Sequence, residues 1–215
     1  MDDSVVIVGA GQAAAQLTAS LRGEGFTGAI TIVGEEPYIP YQRPPLSKAF
    51  LAGELARERL FIKPEEFYAE AKCTLVLNTR AVAIDRARKT VKLADGRELS
   101  YSLLALTTGS RVRALALPGA DLPGVYYLRG IADVEQLQAR MTPGARLAIV
   151  GAGYIGLEVA AVATKRGLKV TVIEALPRVM ARSAGTDISA FYEGVHRRAG
   201  VVIRLNAKID AIERQ

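Results

Sequence analysis

One string of residues occurs twice in this chain. Val5-Val-Ile-Val-Gly-Ala-Gly11 returns, with only its first two positions changed, as Leu147-Ala-Ile-Val-Gly-Ala-Gly153. Each copy joins an apolar run, as a buried strand requires, to a glycine-rich turn, and each continues with helical periodicity. Ala13, Leu17 and Leu21 mark the first helix, and Ile155, Val159 and Val162 mark the second. Both helices are expected to stop at glycine, in Arg22-Gly-Glu-Gly25 and in Lys165-Arg-Gly167. A β-branched run follows each, Ala29–Val33 and Val170–Ile173, and each copy closes on acid, Glu35 and Glu36 in one and Glu174 in the other. The pattern is βαβ written twice. It predicts an α/β fold with two Rossmann-like units.

The chain between the copies reads as short elements. Glu36 to Ser47 carries Pro37, Pro40, Pro44 and Pro45, which excludes a continuous helix and predicts a fixed extended loop. Short helices are expected at 46–53 and 64–71, and strands at 74–85, 88–93, 97–99 and 102–107, with a turn at Asp95-Gly96. Leu117-Pro-Gly-Ala-Asp-Leu-Pro-Gly124 reads as a crossover between domains, dividing the chain into 1–112 and 113–215. A helix over 131–141 precedes the second copy, and a helix near 187–198 and strands at 201–205 and 208–213 follow it.

Composition narrows the classes. In 215 residues, half are hydrophobic and 23% charged, which excludes disorder, collagen-like repeats and coiled coil. The 28 Lys and Arg exceed the 22 Asp and Glu by six, but they are scattered, and aromatics are only 6%. No basic stripe interleaved with aromatics is present, so no nucleic-acid partner is expected. The modest positive charge suits an acidic protein partner instead. The single cysteine, Cys73, excludes an internal disulfide framework and a Cys-rich zinc site, so no metal is expected, and it reads as a small buried hydrophobe in a cytoplasmic protein. Two acids follow Met1 and a strand pattern begins at Ser4, so no secretory leader is expected. The most apolar stretch, 147–163, holds three glycines and Glu158. It reads as strand, turn and packed helix rather than a membrane span. His196, the only histidine, reads as a helix-surface residue.

The glycines and acids carry the chemistry. Gly9-Ala-Gly11-Gln12-Ala13-Ala14 has the form G-x-G-x-x-A, and Gly151-Ala-Gly153-Tyr154-Ile155-Gly156 has the full G-x-G-x-x-G form. The first glycine makes a tight turn, the second lets backbone approach a pyrophosphate, and the small third residue lets helix and strand pack closely. The helix N-terminus then offers unpaired N–H groups and the positive end of its dipole. Acid lies 26 and 23 positions beyond the first glycines, at Glu35 and Glu174. That is near the roughly 20 at which a carboxylate hydrogen-bonds a ribose hydroxyl. Two such units on one chain suggest two dinucleotides side by side, hence a hydride relay.

These and further strings resemble the FAD-dependent pyridine nucleotide oxidoreductases, and within them the ferredoxin reductase group of bacterial monooxygenase and dioxygenase systems, which includes putidaredoxin reductase. The further strings are Arg43-Pro-Pro-Leu-Ser-Lys48, Leu103-Leu-Ala-Leu-Thr-Thr-Gly109-Ser-Arg111, Tyr127-Leu-Arg129 and Gly153-Tyr-Ile-Gly-Leu-Glu158. The resemblance covers essentially the whole chain. It implies FAD on the first fingerprint and NADH on the second, and so FAD/NAD(P)-binding domains that are both incomplete relative to the family, as in an N-terminal fragment.

The resemblance also implies roles. Ala13 contacts the FAD pyrophosphate through its backbone, Glu35 the adenosine ribose and Ala81 the adenine region. Arg43 and Lys48 line the flavin, Lys48 near its reactive N5 side, and Thr108, Gly109, Arg111 and Arg129 also belong to the FAD site. Glu158 pairs with Lys48 across the domain boundary where the nicotinamide arrives. A buried lysine needs an answering carboxylate, and a flavin gaining electrons is steadied by a nearby cation.

Glu174 favours NADH, because a carboxylate there repels a 2′-phosphate. Arg178 and Arg182, a few residues on, keep NADPH as the less favoured cofactor, or flank the adenine, or simply face water. Disulfide reductases among these relatives carry two cysteines where this chain has Arg43-Pro-Pro-Leu-Ser-Lys48, so a dithiol relay is not expected. The activity implied is a ferredoxin--NAD(+) reductase, an oxidoreductase passing electrons from NADH through FAD to an acidic [2Fe-2S] ferredoxin. Alternatives are a rubredoxin or monodehydroascorbate reductase, or a non-catalytic nucleotide-binding module of the apoptosis-inducing-factor kind.

Overall fold

The computed structural model describes residues 3–214. Along the first half run β1 (Ser4–Val8), α1 (Gln12–Gly23), β2 (Ala29–Val33), a 3-10 turn at Pro44–Ser47, α2 (Ala49–Ala52) and a second 3-10 turn at Arg57–Leu60. Then come α3 (Glu65–Glu70), β3 (Cys73–Val76), β4 (Ala81–Asp85), β5 (Thr90–Leu93), β6 (Glu98–Ser100) and β7 (Leu103–Leu106). The remainder is α4 (Ile131–Gln138), β8 (Arg146–Val150), α5 (Tyr154–Lys165), β9 (Lys169–Ile173), α6 (Thr186–Arg198) and β10 (Val202–Arg204). The chain divides into two compact units. One is Met1–Gln42 with Arg57–Ser110, and the other is Arg43–Ala56 with Arg111–Gln215.

In the first unit a parallel sheet runs in the order β3-β2-β1-β7, which places β1 between two partners. Both faces of β1 are covered. Val5 and Ile7 pack with Ile30, Ile32, Ala14 and Tyr68 on one side. Val6 and Val8 pack with Val33, Val76, Val91 and Leu93 on the other. A strand buried on both faces reads as an unbroken apolar run, which is why Val5–Val8 does not alternate. Val91 and Leu93 come from the antiparallel meander β4-β5-β6.

In the second unit a parallel sheet runs β10-β9-β8, with Val170 and Val172 buried on its central strand. Helix α5 packs on β8 and β9, and α6 packs on α5 and β10. In both units the glycine turn leaves the carboxyl end of a strand that opens directly into a helix, the usual ligand end of a parallel sheet.

Several sequence expectations are corrected. The strand expected over 74–85 is two strands in different sheets, β3 and β4. Asn78 takes φ 57 between them, and its N–H and that of Thr79 bond to the Glu36 and Gly34 carbonyls. The helix expected at 46–53 breaks at Lys48 (φ −125°, ψ −117°) into a proline-led 3-10 turn and α2. No strand forms over 208–213, although the Ile212 N–H bonds the Pro118 carbonyl. Ala13 and Ile155 face outward, and the packed faces are Ala14, Ala15 and Thr18 on α1 and Leu157, Val159, Ala160 and Ala163 on α5. His196 is buried, and burial holds its imidazole below the ordinary histidine range. Cys73 is buried in β3 as expected, with burial pushing its thiol up.

Candidate functional site

The first glycine turn is locked from below and open above. Gly9 takes φ +111°, its N–H donates to the Val33 carbonyl at 2.8 Å, and a Cβ there would lie 2.3 Å from the Thr107 carbonyl oxygen. Thr107 also donates its hydroxyl to the Gly9 carbonyl at 2.8 Å. Gly11, in contrast, has nothing within 4 Å of where a Cβ would stand. Gln12 and Ala13 are exposed beside it, and Ala14 is fully buried as the small third residue.

The second turn repeats this division with one difference. Gly151 (φ +100°) and Gly153 both face open space, whereas a Cβ on Gly156 would lie 2.1 Å from the Gly151 carbonyl oxygen. That contact explains why the second copy needs glycine where the first accepts Ala14. Tyr154 and Ile155 expose their side chains in the first turn of α5, around the opening.

Neither helix caps its own N-terminus. Gly11 and Gly153 provide no side-chain cap, and neither α1 nor α5 has an acid in its first turn. Helix α4 behaves differently, because Asp133 accepts the N–H groups of Arg129 and Gly130. Gln12 and Ala13 in the first turn of α1, and Tyr154 and Ile155 in that of α5, are exposed, with a positive dipole end behind them. An open glycine, an uncapped helix and a nearby carboxylate fit the diphosphate and ribose of a dinucleotide in each unit.

The two acids are held in different ways. Glu174 accepts the Ala152 N–H on Oε2 at 2.8 Å and the Leu176 N–H on Oε1 at 2.9 Å, so it braces its own glycine turn. The Ala152 carbonyl in turn accepts the Met180 N–H at 2.8 Å. Glu35 is exposed, and its carboxylate meets Arg80 at 2.7 Å. Ala81, next to Arg80, opens β4 half-buried; Thr108 and Gly109 (φ +64°) are exposed just beyond β7. Arg178 is half-buried and turned towards its own loop. Its guanidinium bonds the Ala184 and Ala181 carbonyls and the Ser189 hydroxyl, while Arg182 remains exposed.

Lys48 and Glu158 come together inside the second unit. The Lys48 ammonium lies 2.8 Å from Glu158 Oε1 and 3.3 Å from the Pro44 carbonyl. Arg43 donates to the Arg129 carbonyl at 2.7 Å, and Arg111 is exposed. The segment bearing Arg43 and Lys48 is fastened by Gln138, whose amide reaches the Phe50 carbonyl at 2.6 Å, and by Arg166, which reaches Leu51 at 3.2 Å. Sequence reasoning passed over Ser47, whose hydroxyl donates to Glu158 Oε2. Its signal was its place directly before Lys48 in a proline-led turn. Arg80, Thr107 and Gln138 were also missed, since they act on partners far along the chain.

Two glycine turns of this kind on parallel sheets define a dinucleotide-binding class of protein, and the chain belongs to the pyridine nucleotide-disulphide oxidoreductase family, which matches residues 3–215. It is similar to rhodocoxin reductase of Rhodococcus erythropolis, with 46% identity over 97% of this chain and 49% of that protein. Its structure is similar to the ferredoxin reductase of the CYP199A2 system from Rhodopseudomonas palustris, with TM-score 0.95 and 40% identity over 100% of this chain and 53% of that one. It is similar too to a covalent putidaredoxin reductase–putidaredoxin complex, with TM-score 0.93 and 40% identity over 99% of this chain and 52% of that one. The chain spans about half the length of the curated relatives it matches.

Among the described residues, no helix is long and apolar enough to cross a membrane.

Proposed function

We propose that this chain is the nucleotide-binding part of a reductase that takes electrons from NADH and passes them through FAD to a small acidic [2Fe-2S] ferredoxin serving an oxygenase. One observation carries this reading. In each βαβ unit the first strand ends in a glycine turn open at Gly11 or Gly153, which leads into an uncapped helix, and a carboxylate follows at the second strand's end.

In this reading residues 1–112 serve FAD and 113–215 serve NADH. The N–H groups at the start of α1, from Gln12 and Ala13, hold the FAD diphosphate, and Glu35 and Ala81 flank its adenosine. The N–H groups at the start of α5, from Tyr154 and Ile155, hold the NADH diphosphate, and Glu174 takes its ribose hydroxyls and disfavours a 2′-phosphate. Arg43, Lys48, Thr108, Gly109, Arg111 and Arg129 line the flavin. The bound cofactors supply two-electron acceptance from NADH and one-electron release. Lys48 presents a cation held by Glu158 at 2.8 Å, and a preorganised charge there costs no rearrangement as negative charge builds up. The excess of six positive charges suits an acidic carrier, and the similar putidaredoxin complex supports a carrier protein as partner. A single buried cysteine suits the reducing cytoplasm.

The test uses the full-length protein. It is expected to show flavin absorbance that NADH bleaches, and to reduce cytochrome c only when a [2Fe-2S] ferredoxin is added. A colourless protein, or a flavin that NADH leaves oxidised, overturns the proposal.

A further inference from the structure

Ser47 has no part in the roles above, yet it is a buried polar residue, 4% exposed, whose hydroxyl donates to Glu158 Oε2. Lys48, the next residue, holds the other oxygen, Oε1, at 2.8 Å. Two consecutive residues therefore grip one carboxylate by both its oxygens. The local sequence makes that grip rigid. Pro44 and Pro45 fix φ through the 3-10 turn, Leu46 anchors it at 1% exposure, and the Lys48 N–H closes it on the Pro45 carbonyl at 3.0 Å.

The ion pair alone would not fix the geometry. The Lys48 side chain is 51% exposed and that of Glu158 27%, and pairs so open to water contribute little and share several rotamers. A buried hydroxyl on the second oxygen adds a direction that water does not contest, and so selects one orientation of the carboxylate.

We infer that Ser47 is a positioning residue. By orienting Glu158 it sets the direction in which the Lys48 ammonium is presented. The consequence for electron transfer rests on the proposed reading in which Lys48 faces the flavin, whereas the grip itself does not.

The experiment uses full-length holoprotein with its lysines reductively 13C-methylated and the Lys48 NMR signal assigned through Lys48→Arg. Ser47→Ala is expected to move the Lys48 signal when Glu158 is present and to leave it in place in a Glu158→Gln background. In unmethylated protein the same variant is expected to slow flavin bleaching by NADH roughly two- to tenfold, with KM for NADH unchanged. Ser47→Cys, close in shape and a weaker donor, should fall between wild type and Ser47→Ala, and covers the case in which alanine impairs folding.

An unmoved Lys48 signal, or an equal movement with and without the Glu158 carboxylate, overturns the inference, because the effect would then be mere adjacency. A moved signal with an unchanged bleaching rate overturns the positioning role. A wild-type protein that NADH never bleaches refutes the function proposed above, and the Lys48 signal still decides whether Ser47 acts through Glu158.

Discussion

The Glu174 carboxylate accepts the Ala152 N–H at 2.8 Å, so the acid at the end of β9 holds the glycine turn that faces it. Its second oxygen takes the Leu176 N–H at 2.9 Å. Glu174→Gln gives up one of these charge-assisted bonds and weakens the other. We expect a loss of about 2 kcal/mol in unfolding free energy, measured by urea denaturation. In the full-length protein Glu174→Arg is expected to shift the ratio of kcat/KM values towards NADPH. An unchanged ratio would remove Glu174 from ribose recognition.

The glycines separate folding from binding. Alanine at Gly9 meets both a positive φ and a carbonyl 2.3 Å away, and alanine at Gly156 meets the Gly151 carbonyl at 2.1 Å. Each is expected to cost roughly 3 kcal/mol or more. Gly11 (φ −108°) and Gly153 (φ −79°) have backbone angles open to any residue and free space beyond. Alanine there is expected to leave the melt within about 1 kcal/mol of wild type. Under the proposed reading it should nevertheless weaken dinucleotide binding by calorimetry, because the added methyl would enter the open space assigned there to the diphosphate.

Tyr68 is 1% exposed and its hydroxyl has no hydrogen-bond partner among the described residues. Tyr68→Phe removes an unsatisfied buried polar atom and is expected to stabilise the fold by about 1 kcal/mol. Burial pushes the Tyr68 phenol up to about 12. Its neutral form is favoured in the folded state, so wild-type stability is full below the ordinary tyrosine value of 10.0 and falls as pH rises towards 12. The phenylalanine variant should lose less stability across that interval in denaturant titrations.

His196 gives the opposite pH dependence. Burial lowers its imidazole below 6.5, so the folded state favours the neutral ring and the unfolded state takes up the proton first. Stability is therefore full above 6.5 and declines as pH falls from there. Thermal melts at about pH 7.5 and about pH 5.5 should show a drop in wild type that is smaller in His196→Leu. Equal drops would assign the pH dependence to other groups.

The features legible in the sequence are those written in short periods. The apolar run Val5–Val8, the turn at Gly9 and the helix after it can be read from neighbouring residues, because burial on both faces and a positive φ leave local marks. The break at Asn78 was not legible, because apolar runs on both sides hid one left-handed residue whose N–H bonds the Glu36 carbonyl while that of Thr79 bonds Gly34, partners more than 40 positions away. Arg178 and Arg182 look alike in sequence. They differ only because the Ala181 and Ala184 carbonyls and the Ser189 hydroxyl close around the first of them.

The chain's own order of residues determined the paired βαβ units, the two glycine turns and the acids that follow them. Tertiary structure alone decided that the segment Arg43–Ala56 would leave its sequence neighbours and join the second unit. It also decided that Ser47 and Lys48 would close on Glu158, 111 positions beyond Ser47. The reason is physical. Periodicity and φ preferences are properties of adjacent residues, but the partner of a carbonyl or carboxylate depends on which distant segment packs beside it, as Gln138 does at Phe50 and Arg166 at Leu51.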